Sequence, residues 1–185
     1  MIKIIKLCQL MLLLLAMGGC ALWSTPRFPL SAINSEYSQL VVQQQWLVHQ
    51  QDKDYRLQAV IQIDDAGWTL VFMDSLGQRL ATLVQDQAGL VVQAHKSHPL
   101  DGRWTELAQR LQFIYWPLAD LQQQGAEGWT FTATQGVRQV HFSGILAGHV
   151  AYLDDNQWQG TVRYANNKSD LRLVIQSHQL RSQKR

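Results

Sequence analysis

From Gln39 onward, apolar and polar residues alternate with a period of two. Tyr55, Leu57, Ala59, Ile61 and Ile63 alternate with Arg56, Gln58, Val60 and Gln62, the pattern of a strand with one buried face. Asp64-Asp65-Ala66-Gly67 has the chemistry of a turn, and Trp68, Leu70 and Phe72 carry the alternation onto the next strand. Runs of the same kind cover Gln39–His49, Gln78–Gln85, Gly89–His95, Trp129–Thr134, Val137–Ser143, Ile145–Leu153, Trp158–Tyr164 and Leu171–Ser177. Short turns join most of them: Asp86–Ala88, Gln135-Gly136, Asp154–Gln157 and Ala165–Ser169. A meander of about ten or eleven antiparallel strands forms one strongly curved sheet or a barrel.

One stretch breaks this period. Between Asp101 and Gly125, residues Trp104, Leu107, Ala108, Leu111, Ile114, Tyr115 and Leu118 recur at spacings of three and four, which lines one face of a helix. Phe113 and Trp116 fall on roughly the opposite side of that wheel and call for a second apolar surface. Pro117 lacks a backbone donor and disfavours helical geometry at Trp116, so the segment divides into Trp104–Tyr115 and a short Pro117–Gln124. Asp101 suits the start as a cap, and Gly125 suits the left-handed residue after the end. The expected fold is mainly β with a helical insert: a curved antiparallel half-barrel over residues 37–180, covered by a two-part helical lid at 101–125. Trp104, Leu107, Leu111, Phe113, Ile114, Trp116 and Leu118 then either line an apolar hollow between lid and sheet or simply fill it. The aromatic-rich composition suits both.

The N-terminus changes the picture of where this domain works. Lys3 and Lys6, the apolar run Leu7–Met17 and then Gly18-Gly19-Cys20 make a secretory signal over residues 1–19. The apolar run is well short of the roughly 20 residues that span a bilayer. Met17-Gly18-Gly19-Cys20 resembles the bacterial lipobox, which implies cleavage and acylation of Cys20; the other reading is a plain signal peptide that happens to contain the cysteine. By the sorting rule for such lipoproteins, Ala21 implies the periplasmic face of the outer membrane. Residues 20–36, with Pro26 and Pro29, are expected to form a lipidated tether, and residues 181–185 a basic tail. Cleavage removes Cys8, so no disulfide remains. It also takes two lysines from the 16 basic residues, leaving 14 against 14 acidic ones, a balance that gives no support to nucleic-acid binding.

The residues assemble no recognisable catalytic set, and an enzyme is not expected. There is no Gly-x-Ser-x-Gly elbow; Ser143 precedes Gly144 within an alternating strand. His95 and His98 have a metal-compatible spacing of three, but they flank a pre-proline loop with no completing ligand. Asp64-Asp65 and Asp154-Asp155 are paired carboxylates beside turns, where Asp caps its own backbone. Glu106, Asp120 and Glu127 bracket the helices as salt-bridge or capping candidates. Neither cofactor nor metal is implied.

The order of features, a lipoprotein signal, about five strands, a Pro-broken helical insert and more strands, resembles the LolA/LolB-type half-barrels that receive lipoproteins in the periplasm. Phe72-Met73-Asp74-Ser75-Leu76-Gly77-Gln78-Arg79-Leu80 is similar to a LolB segment in which a protruding leucine helps pass acyl chains to the membrane, with Ser75 standing where that segment has proline. The resemblance makes Leu76 a candidate hook; the residue pattern alone also allows a half-buried turn residue. Glu106–Leu121 resembles the LolB lid. Leu111-Gln112-Phe113-Ile114-Tyr115-Trp116-Pro117-Leu118 carries the Leu-x-x-x-x-Trp-Pro-Leu pattern of small uncharacterised lipoproteins encoded beside aryl-polyene and other polyketide-like gene clusters. What these resemblances imply is an outer-membrane-anchored carrier or acceptor for an acyl chain, a polyene chain or the lipid of a lipoprotein, with a periplasmic carrier or exporter as a possible partner. A ligand-free docking module for an envelope export machine is the alternative, and a hydrolase or transferase of lipid-linked material a third class.

Overall fold

The computed structural model describes residues 28–30 and 37–184; Cys20, the signal and most of the tether lie outside them. Ten strands and two helices follow in order: β1 (Tyr37–Gln50), β2 (Lys53–Asp64), β3 (Gly67–Met73), β4 (Arg79–Asp86), β5 (Gly89–Ala94), α1 (Trp104–Tyr115), α2 (Leu118–Gln123), β6 (Trp129–Thr134), β7 (Val137–Phe142), β8 (Ile145–Tyr152), β9 (Gly160–Asn166) and β10 (Arg172–Lys184). They form one antiparallel sheet in the order β5-β4-β3-β2-β1-β10-β9-β8-β7-β6. β5 and β6 are not paired with each other, so the sheet is a half-barrel and not a closed barrel.

This order dictates where the helices go. The first and last strands pair at the centre of the sheet, Leu40 opposite Ser182 and Val48 opposite Leu173. The two edges, β5 and β6, are consecutive in sequence. Their connection must therefore span the sheet from edge to edge, and burying its apolar stripe keeps it on the concave side. That face is formed by alternate residues of each strand, such as Leu40, Val42, Trp46 and Val48 of β1 and Leu57, Ala59, Ile61 and Ile63 of β2, all buried.

Tight turns and irregularities give the sheet its curl. Gln51 and Asp52 both have positive φ, 49° and 59°, the two-residue hairpin geometry whose twist matches that of strands. Ser143 and Gly144, at 51° and 76°, repeat it between β7 and β8. Register shifts between Val41 and Val42, Phe72 and Met73, and Val140 and His141 act as bulges that bend the paired strands.

Several sequence expectations need correction. Trp158 precedes β9 and sits in the β8–β9 loop, because Asn156 accepts its backbone N–H and turns the chain there. The supposed basic tail is strand: β10 continues through Lys184, paired along β1. Residues 28–30 of the supposed free tether are packed on the lid, with Phe28 only 2% exposed. Asp101 does not cap α1; its carboxylate accepts the His98 N–H and the Trp104 indole N–H instead. Pro117 is the residue before α2 and is extended, with ψ 139°. Gly125 does adopt the left-handed region after α2, with φ 38°.

Gly67, at φ 147°, packs against the β4 backbone so closely that a Cβ would lie 2.0 Å from the Gln85 carbonyl oxygen. Since neither chain can move without breaking the β3–β4 ladder, Gly67→Ala is expected to cost about 3 kcal/mol or more, read as a shift of the urea midpoint.

Candidate functional site

α1 begins after a loop carrying Pro99 and carries an ion-pair ladder on its outer side, Glu106 with Arg103 (3.1 Å) and with Arg110 (3.2 Å). Much of its apolar side is inserted into the half-barrel. Trp104 stacks on Phe72 (5.3 Å), and Tyr115 stacks on Trp158 (4.3 Å). Of the seven predicted lid residues, Trp104, Leu107, Leu111, Phe113, Ile114 and Trp116 are 0–2% exposed, and Leu118 is half-buried. Lid and sheet side chains meet directly. Of the two readings, lining a hollow or filling it, the burial of these residues favours filling.

The wheel argument holds for Phe113 and fails for Trp116. The second apolar surface for Phe113 is Phe28 with Phe131 and Trp129, ring centroids 5.3, 5.5 and 5.4 Å away. Trp116 is extended, with φ −71° and ψ 145°, so it leaves the helical wheel and turns back into the core against Trp68 at 6.0 Å. Pro117 causes that departure.

The same break strands the end of α1. Pro117 offers no N–H to the Phe113 carbonyl, and the extended Trp116 takes the following donors out of reach of Ile114 and Tyr115. The other wing of the sheet replaces them. Arg138 Nη1, on β7, donates to the carbonyl oxygens of Phe113 (2.7 Å), Ile114 (3.3 Å) and Trp116 (2.9 Å). The Tyr152 hydroxyl, on β8, donates to Ile114 O, and Gln157 Nε2 donates to Tyr115 O at 3.1 Å. A cation at a helix C-terminus also complements the helix dipole. Burial lowers the proton affinity of Arg138 and raises the Tyr152 pKa, so the phenol remains a neutral donor at physiological pH.

Two more polar devices hold the lid. The strap Phe28–Leu30 crosses α1, with the Phe28 and Pro29 carbonyls accepting from Gln109 Nε2 (3.0 Å) and Gln112 Nε2 (3.2 Å). In the interior, the Tyr115 hydroxyl and Ser177 Oγ share a hydrogen bond of 2.8 Å, Gln44 Nε2 donates to Ser177 Oγ at 3.1 Å, and the Trp46 indole donates to Gln44 Oε1 at 2.9 Å. Desolvation pushes the Tyr115 phenol well above its ordinary range. The closed arrangement is not fully satisfied: among the described residues, the Trp116 indole N–H and Arg138 Nε are buried without an acceptor.

Two clefts flank the lid. One of about 510 Å³ runs between α1 and the β4–β5 wing, lined by Phe28, Leu30, Leu90, Val92 and Thr105. The other, about 360 Å³, opens at the lid break beside Arg138, Tyr152, Asp154 and Gln157. At the opposite end of the sheet, Leu76 is 81% exposed. Its loop is held firmly: Asp74 Oδ1 accepts the Leu76 and Gln78 N–H groups, each at 2.9 Å, and Lys96 Nζ donates to Gln78 Oε1 at 2.6 Å. Leu76 therefore protrudes and is not a half-buried turn residue.

The remaining sequence candidates are occupied with structure. His95 Nε2 bonds to Thr82 Oγ1 (2.9 Å), while His98 Nδ1 accepts the Leu100 N–H, so the two do not converge. Asp64 and Asp154 accept the Ala66 and Thr161 N–H groups. Among the described residues, potential ligand atoms of His49, Asp52 and Asp170 lie within 4.8 Å of one another, but both carboxylates are on the surface and His49 Nδ1 is already bonded to Asp54 (2.8 Å).

Arg138, Gln44 and Ser177 were not singled out from the sequence, yet each occupies an inward register beside Val140, Trp46 and Ile175. A polar residue at a core-facing position is the signal that would have found them.

A family model described as a protein of unknown function (DUF3261) matches residues 41–179, a span that includes β2 to β9, both helices and most of β1 and β10. No curated protein matches the chain.

Ser177→Ala removes the hydroxyl that accepts from Gln44 Nε2 and pairs with the Tyr115 hydroxyl, whereas Tyr115→Phe removes one of these bonds and leaves Ser177 paired with Gln44. The expected losses are about 3 and about 1 kcal/mol respectively, compared by denaturant titration.

Proposed function

The chain belongs to that family of unknown function, and we propose that it is a membrane-tethered acceptor of hydrophobic chains, whose closed lid is the empty state and swings aside to admit an acyl or polyene chain, or the lipid of a lipoprotein. The observation that carries this reading is the set of side-chain hydrogen bonds from Arg138, Tyr152 and Gln157 to the carbonyls at the end of α1. They tie the lid to the sheet by polar contacts that can be exchanged, at a backbone break that already provides a hinge.

Magnitudes favour exchange over permanent closure. Six lid side chains buried at about 2 kcal/mol each give the closed lid about 12 kcal/mol of apolar contact. A chain of about 14 methylenes brings about 11 kcal/mol at about 0.8 kcal/mol each. Near parity is what an acceptor needs if it is also to release. The cleft between α1 and the β4–β5 wing is the natural entrance. In this reading Cys20 anchors the protein to the outer membrane, and Leu76, held on its rigid loop, touches the bilayer during transfer, as the Lol resemblance implies.

The filled interior favours a second reading, a docking module for an envelope export machine that holds no ligand. Purification of the mature chain with Cys20→Ser, followed by mass spectrometry of bound lipid and titration with cis-parinaric acid, separates the two. The acceptor reading expects micromolar uptake, accelerated several-fold by Tyr152→Phe, which removes one lid bond at small cost in stability. Absence of both uptake and co-purifying lipid favours the docking module.

Leu76→Glu is expected to leave uptake and folding unchanged, because the side chain is exposed, and to slow delivery of the bound chain to vesicles about tenfold. Unchanged delivery removes Leu76 from the mechanism.

A further inference from the structure

Resting on the lid-opening reading, we infer that the ligand carries an oxyanion headgroup, a carboxylate or a phosphate, which replaces the lid carbonyls on Arg138.

The starting point is a cation in the wrong place. Arg138 shares the inward register of β7 with Val140 and is 7% exposed. Among the described residues no carboxylate forms a salt bridge with it; its neighbours are the three lid carbonyls and the Tyr152 ring, 5.7 Å away. All three hydrogen bonds use Nη1, while Nε is buried without an acceptor among the described residues. The indole N–H of Trp116, whose carbonyl sits 2.9 Å from the same guanidinium, is a second buried donor without an acceptor. Arg138 therefore has more donors than acceptors at the lid break, and the cleft of about 360 Å³ that it lines gives it a route to solvent.

Opening the lid worsens the mismatch. Once the carbonyls of Phe113, Ile114 and Trp116 leave, the guanidinium on the inward face of β7 has lost its acceptors, and a buried charge without partners is strongly unfavourable. The open state needs an acceptor that arrives with the ligand. A hydrocarbon brings none, and a cationic head is repelled. A carboxylate or phosphate matches the guanidinium fork through two parallel N–H bonds, and guanidinium keeps its charge even when burial lowers its pKa. Asp154 and Asp155 also line the cleft. The Asp154 carboxylate is engaged by the Thr161 N–H at 2.7 Å and Asp155 is exposed, so their repulsion is weakened by solvent and falls short of a buried contact at the guanidinium.

The test uses the mature chain with Cys20→Ser and two probes that share one polyene chain, cis-parinaric acid and cis-parinaryl alcohol. At neutral pH the acid is expected to bind about tenfold tighter or better, with Arg138→Gln abolishing the preference and Arg138→Lys retaining part of it. Millimolar inorganic phosphate is expected to leave acid binding unchanged, since the chain delivers the anion. Equal affinity of the wild-type protein for both probes overturns the inference while leaving the acceptor reading intact, and this comparison stands even if the Arg138 variants do not fold. Displacement of the acid by phosphate alone also overturns it, because the site then takes free anions. Binding of neither probe defeats the acceptor reading itself.

Discussion

One missing hydrogen atom organises the lid. Pro117 has no backbone N–H, and its ring drives Trp116 out of helical geometry. The carbonyls that end α1 are thereby left without intrahelical donors on the concave side of the half-barrel. Unpaired backbone groups there are expensive, and a side-chain donor from the sheet is the remedy the fold adopts. Arg138 supplies most of it from β7, Tyr152 and Gln157 the rest. The lid is consequently fastened at its bend by groups belonging to one wing of the sheet, while its aromatic contacts with Trp68 and Phe72 belong to the other.

Topology explains why there is a lid to fasten. Pairing β1 with β10 at the centre leaves consecutive strands β5 and β6 at opposite edges. Any connection between them has to cover the concave face, and an amphipathic helix pair is the form that satisfies its own backbone while burying apolar side chains. α2 then covers the β6 edge, where Gln122 Nε2 bonds to the Phe131 carbonyl at 3.1 Å. The strap at Phe28 closes over the outside of α1, so the helix is buried on nearly every side. This accounts for two fully or almost fully buried glutamines, Gln109 and Gln112, on what would otherwise be a solvent-facing surface.

Much of this was legible in the chain. Period-two alternation located all ten strands, most plainly where a strand such as β2 has one buried and one wetter face, and the spacing of three and four placed α1 at its observed ends. Errors arose where a residue's neighbours in space, not in sequence, decide its conformation. Trp158 keeps the period of two with Val162 and Tyr164, yet it stacks on Tyr115 from a loop. Trp116 was placed by a wheel that stops applying one residue earlier. Phe28 sits between prolines with no periodic pattern, and only the aromatic cluster it completes gives it a place. Arg138 was legible in principle, since inward-facing Val140 fixes its register. Whether inward-facing side chains meet or leave a void was never encoded in alternation, which reports direction and not distance.

The central claim is that the lid opens as a unit while the sheet stays folded. Native-state hydrogen exchange measures this directly, because sub-global opening and global unfolding differ in free energy. The account predicts that amides of α1 and α2 exchange together, at a free energy well below that of the central β1–β10 ladder, and that a bound hydrophobic chain alters exchange in the lid without altering it in the ladder. If lid and ladder amides exchange only with global unfolding, at one common free energy, the lid is a fixed part of the core and the account is wrong.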